Sequence, residues 1–363
     1  MALPIRPELL AIPAYGAPQI DVPVRLNTNE NPYSPPAELV DDLVASVRAA
    51  ASGLNRYPDR DFRDLRSALA AYLSAEGGEP VGSDEIWAAN GSNEVMQQIL
   101  QTVGGPGRCV LAFAPTYSMY EEYARNTHTE YVSVPRDGDF GIDEVAAQAA
   151  ITEHQPAAIF ITSPNNPTGT ALSDLSLIDR ILSWAPDALV VVDEAYAEFR
   201  RPGVPSAMSR LHTTDRLVVV RTMSKAFAMA GLRLGYAAMH PDLIAGILRC
   251  RLPYHLSSLT QSAALAALRH SDALQRDLAA LRQERDDLVA WLRAEGFAAA
   301  DSDTNFVLFG KFADRHAVWQ AMVDKGVLIR EVGPAGWLRV TVGTPEEMTA
   351  FRAALKEVGG QLQ

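Results

Sequence analysis

The sequence predicts an α/β protein in which a larger domain with a mostly parallel central sheet is followed by a smaller α+β domain. Apolar runs of strand length occur at 109–114, 157–162, 188–193 and 217–222, and helical patterns separate them. Because these runs are rich in β-branched residues and do not alternate with polar ones, they are typical of strands buried on both faces. Alternation of such strands with helices favours a parallel sheet, and ligands bind at the carboxyl edge of such sheets.

Apolar periodicity predicts the other elements. The first 36 residues are rich in proline and are expected to be extended. Helical spacing predicts helices over 37–50, 61–75 and 171–184 and a long helical region over 257–295. After residue 255 the alternation of strands and helices is typical of a second, α+β domain. This tail has predicted strands at 304–309, 327–330 and 337–342 and predicted helices at 313–325 and 345–357.

Composition excludes several classes of protein. The 363 residues include 32 Lys and Arg against 44 Asp and Glu, a net charge of −12 without a basic cluster, which argues against nucleic-acid binding. The longest apolar runs have strand length, so no membrane-spanning helix is expected. Pro4, Pro7 and Pro13 interrupt the N-terminal stretch, which does not resemble a signal peptide. Only Cys109 and Cys250 occur, which indicates a reducing, cytoplasmic location.

The segment Thr-Met-Ser-Lys-Ala-Phe at 222–227 places Lys225 directly after a buried apolar strand. Lysine is rarely buried unless it is paired, and burial lowers the pKa of its amine, as a Schiff-base lysine requires. A lysine in a surface loop is the plain alternative. Arg233 follows eight residues later, and Thr222 and Ser224 add hydroxyls, so this strand end also suits a phosphate group.

Two further strand ends carry polar side chains. Asp193 ends an aliphatic strand in Asp-Glu-Ala-Tyr, where it either caps a helix or pairs with a protonated heterocyclic nitrogen. Tyr196, three residues later, can donate its phenol to the same ligand. In Ser-Pro-Asn-Asn-Pro-Thr-Gly at 163–169 the plain alternative is a turn, but the amide of Asn166 can also donate to a phenolate-type oxygen.

Two motifs nearer the N-terminus are less specific. Gly91, Ser92 and Asn93 lead into a helical segment, either as a helix cap or as an anion site built from backbone N–H groups. Tyr117 follows the strand at 109–114, and its ring either packs in the core or stacks on a planar ligand. Neither motif indicates a function alone.

Together these segments resemble one family, the fold type I aminotransferases that use pyridoxal phosphate (PLP). Within this superfamily the chain is most similar to the histidinol-phosphate aminotransferases, and the resemblance extends from Tyr15 to Thr344. The segments that carry it occur in the family's order and spacing: Gly91 to Asn93, Tyr117, 163–169, 193–196 and Ser-Lys-Ala-Phe-Ala-Met-Ala-Gly-Leu-Arg-Leu-Gly-Tyr at 224–236.

The resemblance implies roles for the residues around the cofactor ring. Lys225 would bind PLP as a Schiff base and move the proton between the substrate Cα and the cofactor C4′. Asp193 would keep the pyridine nitrogen protonated, so that the ring serves as an electron sink. Asn166 and Tyr196 would hydrogen-bond the 3′ oxygen. The resemblance thus implies Lys225, Asp193 and Tyr196 as the catalytic residues.

The resemblance also implies how the rest of the cofactor is held. Tyr117 would stack on one ring face and Ala195 would pack on the other. Tyr57 would reach the phosphate of a second subunit, so a homodimer is implied. Many relatives carry Asp where this chain has Asn93, which leaves backbone N–H donors as the expected contact there. The implied phosphate ligands are Ser92, Asn93, Thr222, Ser224 and Arg233.

The implied reaction is transamination of L-histidinol phosphate with 2-oxoglutarate to imidazole-acetol phosphate and glutamate, a step of histidine biosynthesis. Arg339 would bind the substrate anion, and Arg330 would assist because the substrate phosphate is a dianion. Tyr15 and Asn29 lie in a stretch that relatives fold over the site, so the resemblance implies both as substrate contacts. It implies no metal. The alternatives are an aromatic amino-acid aminotransferase on the same scaffold, a decarboxylase of an amino-acid phosphate, and a PLP-dependent regulator.

The resemblance divides the chain into three parts. Residues 1–45 would form an N-terminal arm that joins the small domain, 46–255 the large PLP-binding domain, and 256–363 the small C-terminal domain. The expected partners are small-molecule substrates and a second copy of the chain, and neither a nucleic acid nor a membrane.

Overall fold

A seven-stranded sheet forms the centre of the structure, which is a computed structural model that describes residues 3–77 and 79–362. Two smaller sheets, of three and two strands, contain the remaining strands. The strands are β1 (Val24–Arg25), β2 (Ile86–Ala89), β3 (Cys109–Ala114), β4 (Glu130–Pro135), β5 (Ala158–Thr162), β6 (Leu189–Asp193), β7 (Leu217–Thr222), β8 (Gly235–Ala238), β9 (Ala298–Ala299), β10 (Phe306–Gly310), β11 (Val327–Leu328) and β12 (Trp337–Thr341).

Helices connect the strands along most of the chain. Within the two described ranges, none is both long and apolar enough to cross a membrane. The α-helices are α1 (Pro7–Leu10), α2 (Ala37–Ala51), α3 (Arg63–Gly77), α4 (Ser92–Val103), α5 (Met119–Asn126), α6 (Glu144–His154), α7 (Ser176–Trp184), α8 (Pro241–Cys250), α9 (Ser258–Arg269), α10 (Ser271–Gln275), α11 (Leu278–Ala294), α12 (Arg315–Asp324) and α13 (Pro345–Leu362). Short 3-10 helices lie at Ser83–Glu85, Ala197–Phe199, Ala207–Thr213 and Ala230–Leu232.

The large sheet has the strand order β2-β8-β7-β6-β5-β3-β4. Its neighbours pair in parallel except at β8, which runs antiparallel to both β2 and β7. Strands β5, β6 and β7 are buried along their whole length, as their continuous apolar sequences predict. The predicted α/β fold with a mostly parallel sheet is confirmed.

Several predicted elements differ from the structure in detail. The first 36 residues, predicted to be extended, contain the short helix α1, and α13 continues to Leu362, beyond the predicted end at residue 357. The helix predicted over 171–184 begins only at Ser176, because the Asp174 carboxylate accepts the Ser176 N–H (2.7 Å) and so satisfies a first-turn donor from outside the helix. The region predicted as helical over 257–295 consists of α9, α10 and α11. It breaks at His270, whose ring turns towards Asp42 of α2 (3.1 Å), and again at Asp277.

The buried apolar side chains form two clusters. The larger cluster extends in sequence from Leu39 to Leu274 and includes the strands of the large sheet. The smaller cluster lies mainly between Leu278 and Val358, and Leu26 joins it from the N-terminal stretch. Strand β1 pairs in parallel with β11 beside this second cluster. The domain boundaries after residues 45 and 255 stay predictions.

Gly235 opens β8 where this strand crosses the start of α4. A Cβ built on Gly235 would lie 2.1 Å from the backbone nitrogen of Ser92 and 2.3 Å from the carbonyl carbon of Gly91. Both are backbone atoms, which cannot rotate away as the end of a side chain can. Glycine at this position therefore allows β8 to approach the turn that begins α4.

We expect Gly235→Ala to lower the free energy of unfolding by roughly 1–3 kcal/mol, because the added carbon forces two backbone segments apart. Urea denaturation followed by circular dichroism measures the change. Gly231→Ala is the matched control, since among the described residues other than its two chain neighbours no atom lies within 4 Å of a Cβ at Gly231. Equal losses in the two variants would mean that this crossing tolerates a side chain.

Candidate active site

A cavity of about 290 Å³ opens at the carboxyl ends of β5, β6 and β7. This is the edge of a parallel sheet at which ligands bind. Every residue predicted for the site except Tyr57 lines the cavity: Tyr15, Asn29, Ser92, Asn93, Tyr117, Asn166, Asp193, Ala195, Tyr196, Thr222, Ser224, Lys225, Arg233, Arg330 and Arg339.

Lys225 lies three residues after the end of β7 and projects its amine into the cavity. Its Nζ donates to the backbone carbonyl of Thr28 (3.0 Å) and lies 5.9 Å from the centre of the Tyr196 ring. Burial, with a smaller contribution from the positive charge of Arg339, lowers the pKa of Lys225 to about 8. A lysine with this pKa is partly neutral near physiological pH, so it can act as a nucleophile and as a base.

Asp193 ends β6 as a buried carboxylate. Its Oδ1 accepts the N–H of Ala195 (3.1 Å), and its Oδ2 accepts the phenol hydrogen of Tyr120 (2.8 Å). Within the described part of the chain, no lysine or arginine forms an ion pair with it. Burial therefore raises the pKa of Asp193 above its usual value. A cation placed beside this carboxylate would offset its desolvation.

A cluster of anion-binding groups lies around the N-terminus of α4. Arg233 donates to the Ser224 hydroxyl (3.3 Å), and the Thr222 hydroxyl donates to the same oxygen (3.0 Å). Gly91 precedes α4 with a φ of 84°, and a Cβ there would lie 2.5 Å from Nη2 of Arg233. Free N–H groups of the first helical turn, two hydroxyls and a guanidinium group suit a phosphate.

Tyr117 and Asn93 form one wall of the cavity. The Tyr117 phenol donates to Oδ1 of Asn93 (3.3 Å), and its ring meets the Tyr120 ring edge to face at 5.8 Å. Although this chain has Asn93 where many relatives have Asp, the Asn93 side chain still orients the Tyr117 ring through this hydrogen bond. Ala195 lies among the cavity residues near the end of β6.

Arg339 and Arg330 lie on the side of the cavity that faces the second cluster. Arg339 is buried and donates to Oδ1 of Asn166 (2.5 Å) and to the carbonyl of Asn27 (2.9 Å). Its Nε has no partner among the described residues. Burial lowers the pKa of Arg339 to about 10. Arg330 pairs with the Arg339 backbone in an antiparallel bridge, so the two guanidinium groups come from adjacent positions.

The two N-terminal residues of the predicted site are held differently. Tyr15 is half exposed, and its phenol oxygen accepts a hydrogen bond from the Ser118 hydroxyl (3.2 Å). Asn29 is buried, and its side-chain amide contacts both Tyr196 and Thr341. Both residues border the cavity, as expected.

Tyr57 is the predicted site residue that lies away from the cavity. It is 80% exposed and stacks on Tyr254 with ring centres 4.5 Å apart. Within one chain it therefore contacts none of the phosphate-binding groups described above. Its predicted role across a subunit interface stays a prediction.

Sequence reasoning missed several residues that contact the predicted ones. Tyr120 lies three residues after Tyr117 and donates its phenol hydrogen to Asp193, and an aromatic residue so close to a predicted site residue could have indicated it. Asn27 and Thr28 bind Arg339 and Lys225 through backbone carbonyls. Because these contacts use backbone carbonyls, which every residue type has, the sequence does not indicate them.

Comparison with known proteins assigns the family. The model of the family described as aminotransferase class I and II matches residues 21–355. The chain belongs to the class I and II aminotransferases. It is 59% identical to a histidinol-phosphate aminotransferase of Thermobifida fusca, over 99% of this chain and 96% of the relative. It is 55% identical to histidinol-phosphate aminotransferase 3 of Burkholderia lata, over 98% and 96% of the two chains.

A solved structure of a histidinol-phosphate aminotransferase is also similar to this aminotransferase over almost its whole length. The histidinol-phosphate aminotransferase of Sinorhizobium meliloti, in complex with pyridoxal-5′-phosphate, superimposes with a TM-score of 0.87 at 25% identity. The superposition covers 99% of this chain and 98% of the other. The expected fold type I architecture is confirmed by this likeness.

Three observations on the aminotransferase fit PLP as its cofactor. Asp193 is buried and has no cation paired with it among residues 3–77 and 79–362, which suits the ring nitrogen. Gly91 leaves room beside Arg233 that a Cβ would fill, at the N-terminus of α4, which suits the phosphate. Lys225 offers a buried amine of lowered pKa, which suits a carbonyl carbon.

We expect Asp193→Asn to stabilise the PLP-free aminotransferase near pH 8. The folded-state pKa of Asp193 lies above its unfolded value, so the parent loses stability as the pH rises from about 4 through the folded pKa. The amide carries no charge and removes this dependence. Urea unfolding of both PLP-free proteins at several pH values measures the difference in stability.

The expected gain of Asp193→Asn over the parent grows with pH and vanishes near pH 4. A gain that is largest at low pH would contradict the assignment of a raised pKa to Asp193. Asp187→Asn serves as the control, because Asp187 is exposed and its substitution changes the same charge without changing a buried group.

Proposed function

We propose that this chain catalyses PLP-dependent transamination between L-histidinol phosphate and 2-oxoglutarate, which yields imidazole-acetol phosphate and glutamate in histidine biosynthesis. The observation that best supports this proposal is that Lys225, Asp193 and Arg339 line the same cavity. An amine of lowered pKa, a buried carboxylate without a cation and an anion-binding arginine are the groups that this reaction requires.

Two residues would control the electronic state of the cofactor. When bound, PLP withdraws electrons from the carbon that bears the substrate amine and so makes its hydrogen acidic. Asp193 would hold a proton on the ring nitrogen, helped by the Tyr120 hydrogen bond that orients its carboxylate. Tyr196 would donate its phenol hydrogen to the 3′ oxygen, and Asn166 would donate to the same atom.

Lys225 would move the proton. Its Nζ, which projects into the cavity, would take the proton from the substrate Cα and deliver it to C4′. The pKa of about 8 suits both steps, because a base works best when its pKa is near the working pH. Tyr117, together with the anion-binding groups around the N-terminus of α4, would keep the cofactor ring in place during this transfer.

Arg339 and Arg330 would bind the substrate anions. Histidinol phosphate presents a phosphate dianion where glutamate presents carboxylates, and two adjacent guanidinium groups suit both. The unpartnered Nε of Arg339 leaves hydrogen-bonding capacity for this purpose. We assign the substrate anion to this pair of residues and the cofactor phosphate to Arg233.

The relatives favour histidinol phosphate over an aromatic amino acid as substrate. Full-length identities of 59% and 55% are to proteins named histidinol-phosphate aminotransferase. The cavity itself would accept either kind of substrate, because both carry an aromatic ring and an anionic group. The proposed specificity therefore depends on the likeness of the whole chain.

A homodimer would complete the site. Tyr57 and Tyr254 form a stacked aromatic pair, and Leu54 and Leu252 add exposed apolar surface nearby in the sequence. Exposed apolar groups of this kind mark interaction surfaces. We propose that Tyr57 reaches the phosphate site of a second copy.

We also propose that the enzyme is cytoplasmic, because its low cysteine content is typical of proteins in a reducing compartment.

We expect the PLP-loaded protein to react with L-histidinol phosphate at least about 10³-fold faster than with L-phenylalanine, which is about 4 kcal/mol of transition-state discrimination. The second-order rate is measured in a single half-reaction without keto acid, from the rise of pyridoxamine phosphate. Comparable rates for the two amines would move the enzyme to the aromatic aminotransferases.

Lys225→Ala is the control for this measurement. It should retain PLP only without a covalent bond and should lose turnover with both amines. Turnover in this variant would remove Lys225 from the proposed mechanism and leave the fold assignment intact.

We expect inactive Lys225→Ala and Tyr57→Ala chains to complement each other when they are mixed, unfolded and refolded together. If each site takes Tyr57 from the second copy, a heterodimer contains one intact site, and a random mixture recovers roughly a quarter of parental activity. Activity at limiting PLP measures the recovery. No recovery, with a dimeric mass in solution, would mean that each chain completes its own site.

A further inference from the structure

Asn29 is a buried residue whose polar groups are all engaged. Its backbone N–H donates to Oγ1 of Thr341 (3.0 Å), and its carbonyl accepts from Nδ2 of Asn305 (3.1 Å). Its side-chain Nδ2 donates to the phenol oxygen of Tyr196 (2.8 Å), and its Oδ1 accepts the Thr341 hydroxyl hydrogen (3.1 Å). Asn29 is only 2% exposed, so these bonds are shielded from water.

Thr341 determines which end of the Asn29 amide faces Tyr196. The Thr341 hydroxyl oxygen already accepts the Asn29 backbone N–H, so its own hydrogen needs an acceptor. The carbonyl end of the Asn29 side chain provides that acceptor. If the amide were reversed, the buried hydroxyl hydrogen would lose this partner. The NH₂ end therefore points at Tyr196.

The direction of the Asn29 bond sets the direction of the Tyr196 hydrogen. Because Nδ2 of Asn29 donates to the phenol oxygen, the phenol hydrogen is not used in this contact. It is free to be donated to an acceptor in the cavity. A residue that accepted from Tyr196 at this point would instead take the hydrogen away from the cavity.

We propose that Thr341 and Asn29 are positioning residues that make the Tyr196 phenol a directed donor to the cofactor's 3′ oxygen. This inference rests on the proposed function, because it requires PLP in the cavity. It gives Asn29 a role through Tyr196 in place of a contact with substrate.

The backbone of Asn29 supports this role. Its φ of 57° lies in the left-handed region, where asparagine and glycine are the residues that fit with least strain. Glycine has no amide and could not contact Tyr196. The conformation and the hydrogen bonds thus select the same residue type.

The other groups that face Tyr196 define what the test must control. Arg339, Asp193 and Tyr15 act on the phenol by charge, and the Lys225 amine lies 5.9 Å from the ring centre. Thr341 does not line the cavity, so its substitution alters the hydrogen-bond direction without removing a group that borders the ligand.

The test is a pH titration of the visible absorbance of the PLP-loaded protein. A hydrogen bond donated to the 3′ oxygen withdraws electrons and makes the nitrogen of the Lys225 linkage less basic. We expect Thr341→Val, which removes the hydroxyl at constant shape, to raise the absorbance midpoint by about one pH unit, the size of one lost hydrogen bond. Thr341→Ser keeps the hydroxyl and should leave the midpoint unchanged.

The same two substitutions are measured in a Tyr196→Phe background, where the phenol is absent. There the midpoints of the Thr341→Val and Thr341→Ser proteins should coincide, and a persisting difference would overturn the proposal. Equal midpoints with Tyr196 present would also overturn it. If Thr341→Val does not fold, Asn29→Asp replaces it. Its negative charge raises the midpoint in both backgrounds, and the upward shift should be larger with Tyr196 present, because the carboxylate then also accepts the phenol hydrogen.

Failure of the proposed function gives a different result. A parent protein that binds no PLP and shows no visible band would overturn both the function and this inference. A parent with a normal band and variants without the shift would overturn the inference alone.

Discussion

A buried ion pair between Glu194 and Arg221 fixes the strand register on which the site depends. The two side chains are 2% and 1% exposed, and Nη2 of Arg221 lies 2.8 Å from Oε2 of Glu194 across β6 and β7. Successive side chains of a strand point to opposite faces. With Glu194 committed to Arg221, its neighbour Asp193 must face the cavity, as must Thr222 beside Arg221. A slip of one residue would exchange Asp193 and Glu194 and leave a buried charge without its partner.

The two faces of the sheet at the ends of β6 and β7 differ in whether their buried charges form ion pairs. On one face Arg221 is surrounded by the carboxylates of Glu76, Glu194 and Glu198, which offset its burial. On the other face Asp193 and Lys225 form no ion pair within the described part of the chain, so burial disfavours their ionised forms: the pKa of Asp193 is raised and that of Lys225 is lowered. Groups whose pKa values are displaced in this way are typical of catalytic sites, and their cost is met by the packed core around them.

The sequence allowed the fold and most of the cavity to be predicted for physical reasons. Continuous apolar runs identify doubly buried strands, and the polar residue that follows each run lies at the carboxyl edge, which is why Asp193 and Lys225 could be named. The exact start of α7 and the break at His270 could not, because single side-chain contacts decide them. The carbonyl contacts of Asn27 and Thr28 depend on a backbone path that no residue type encodes. Tyr57 lies outside the cavity of one chain, so its role requires an interface that one chain does not contain.

The hydrogen bonds between Asn29 and Thr341 join positions 312 residues apart in the chain. The Thr341 backbone N–H also donates to the carbonyl of Leu26 (2.9 Å), so this side of the cavity combines two segments that are far apart in the sequence. Contacts of such long sequence separation form late, because a large loop must close first. Synthesis of the polypeptide must therefore proceed from Asn29 through Thr341 before this side of the pocket can form. Until that point the pocket around Lys225 lacks the wall that contains Arg339.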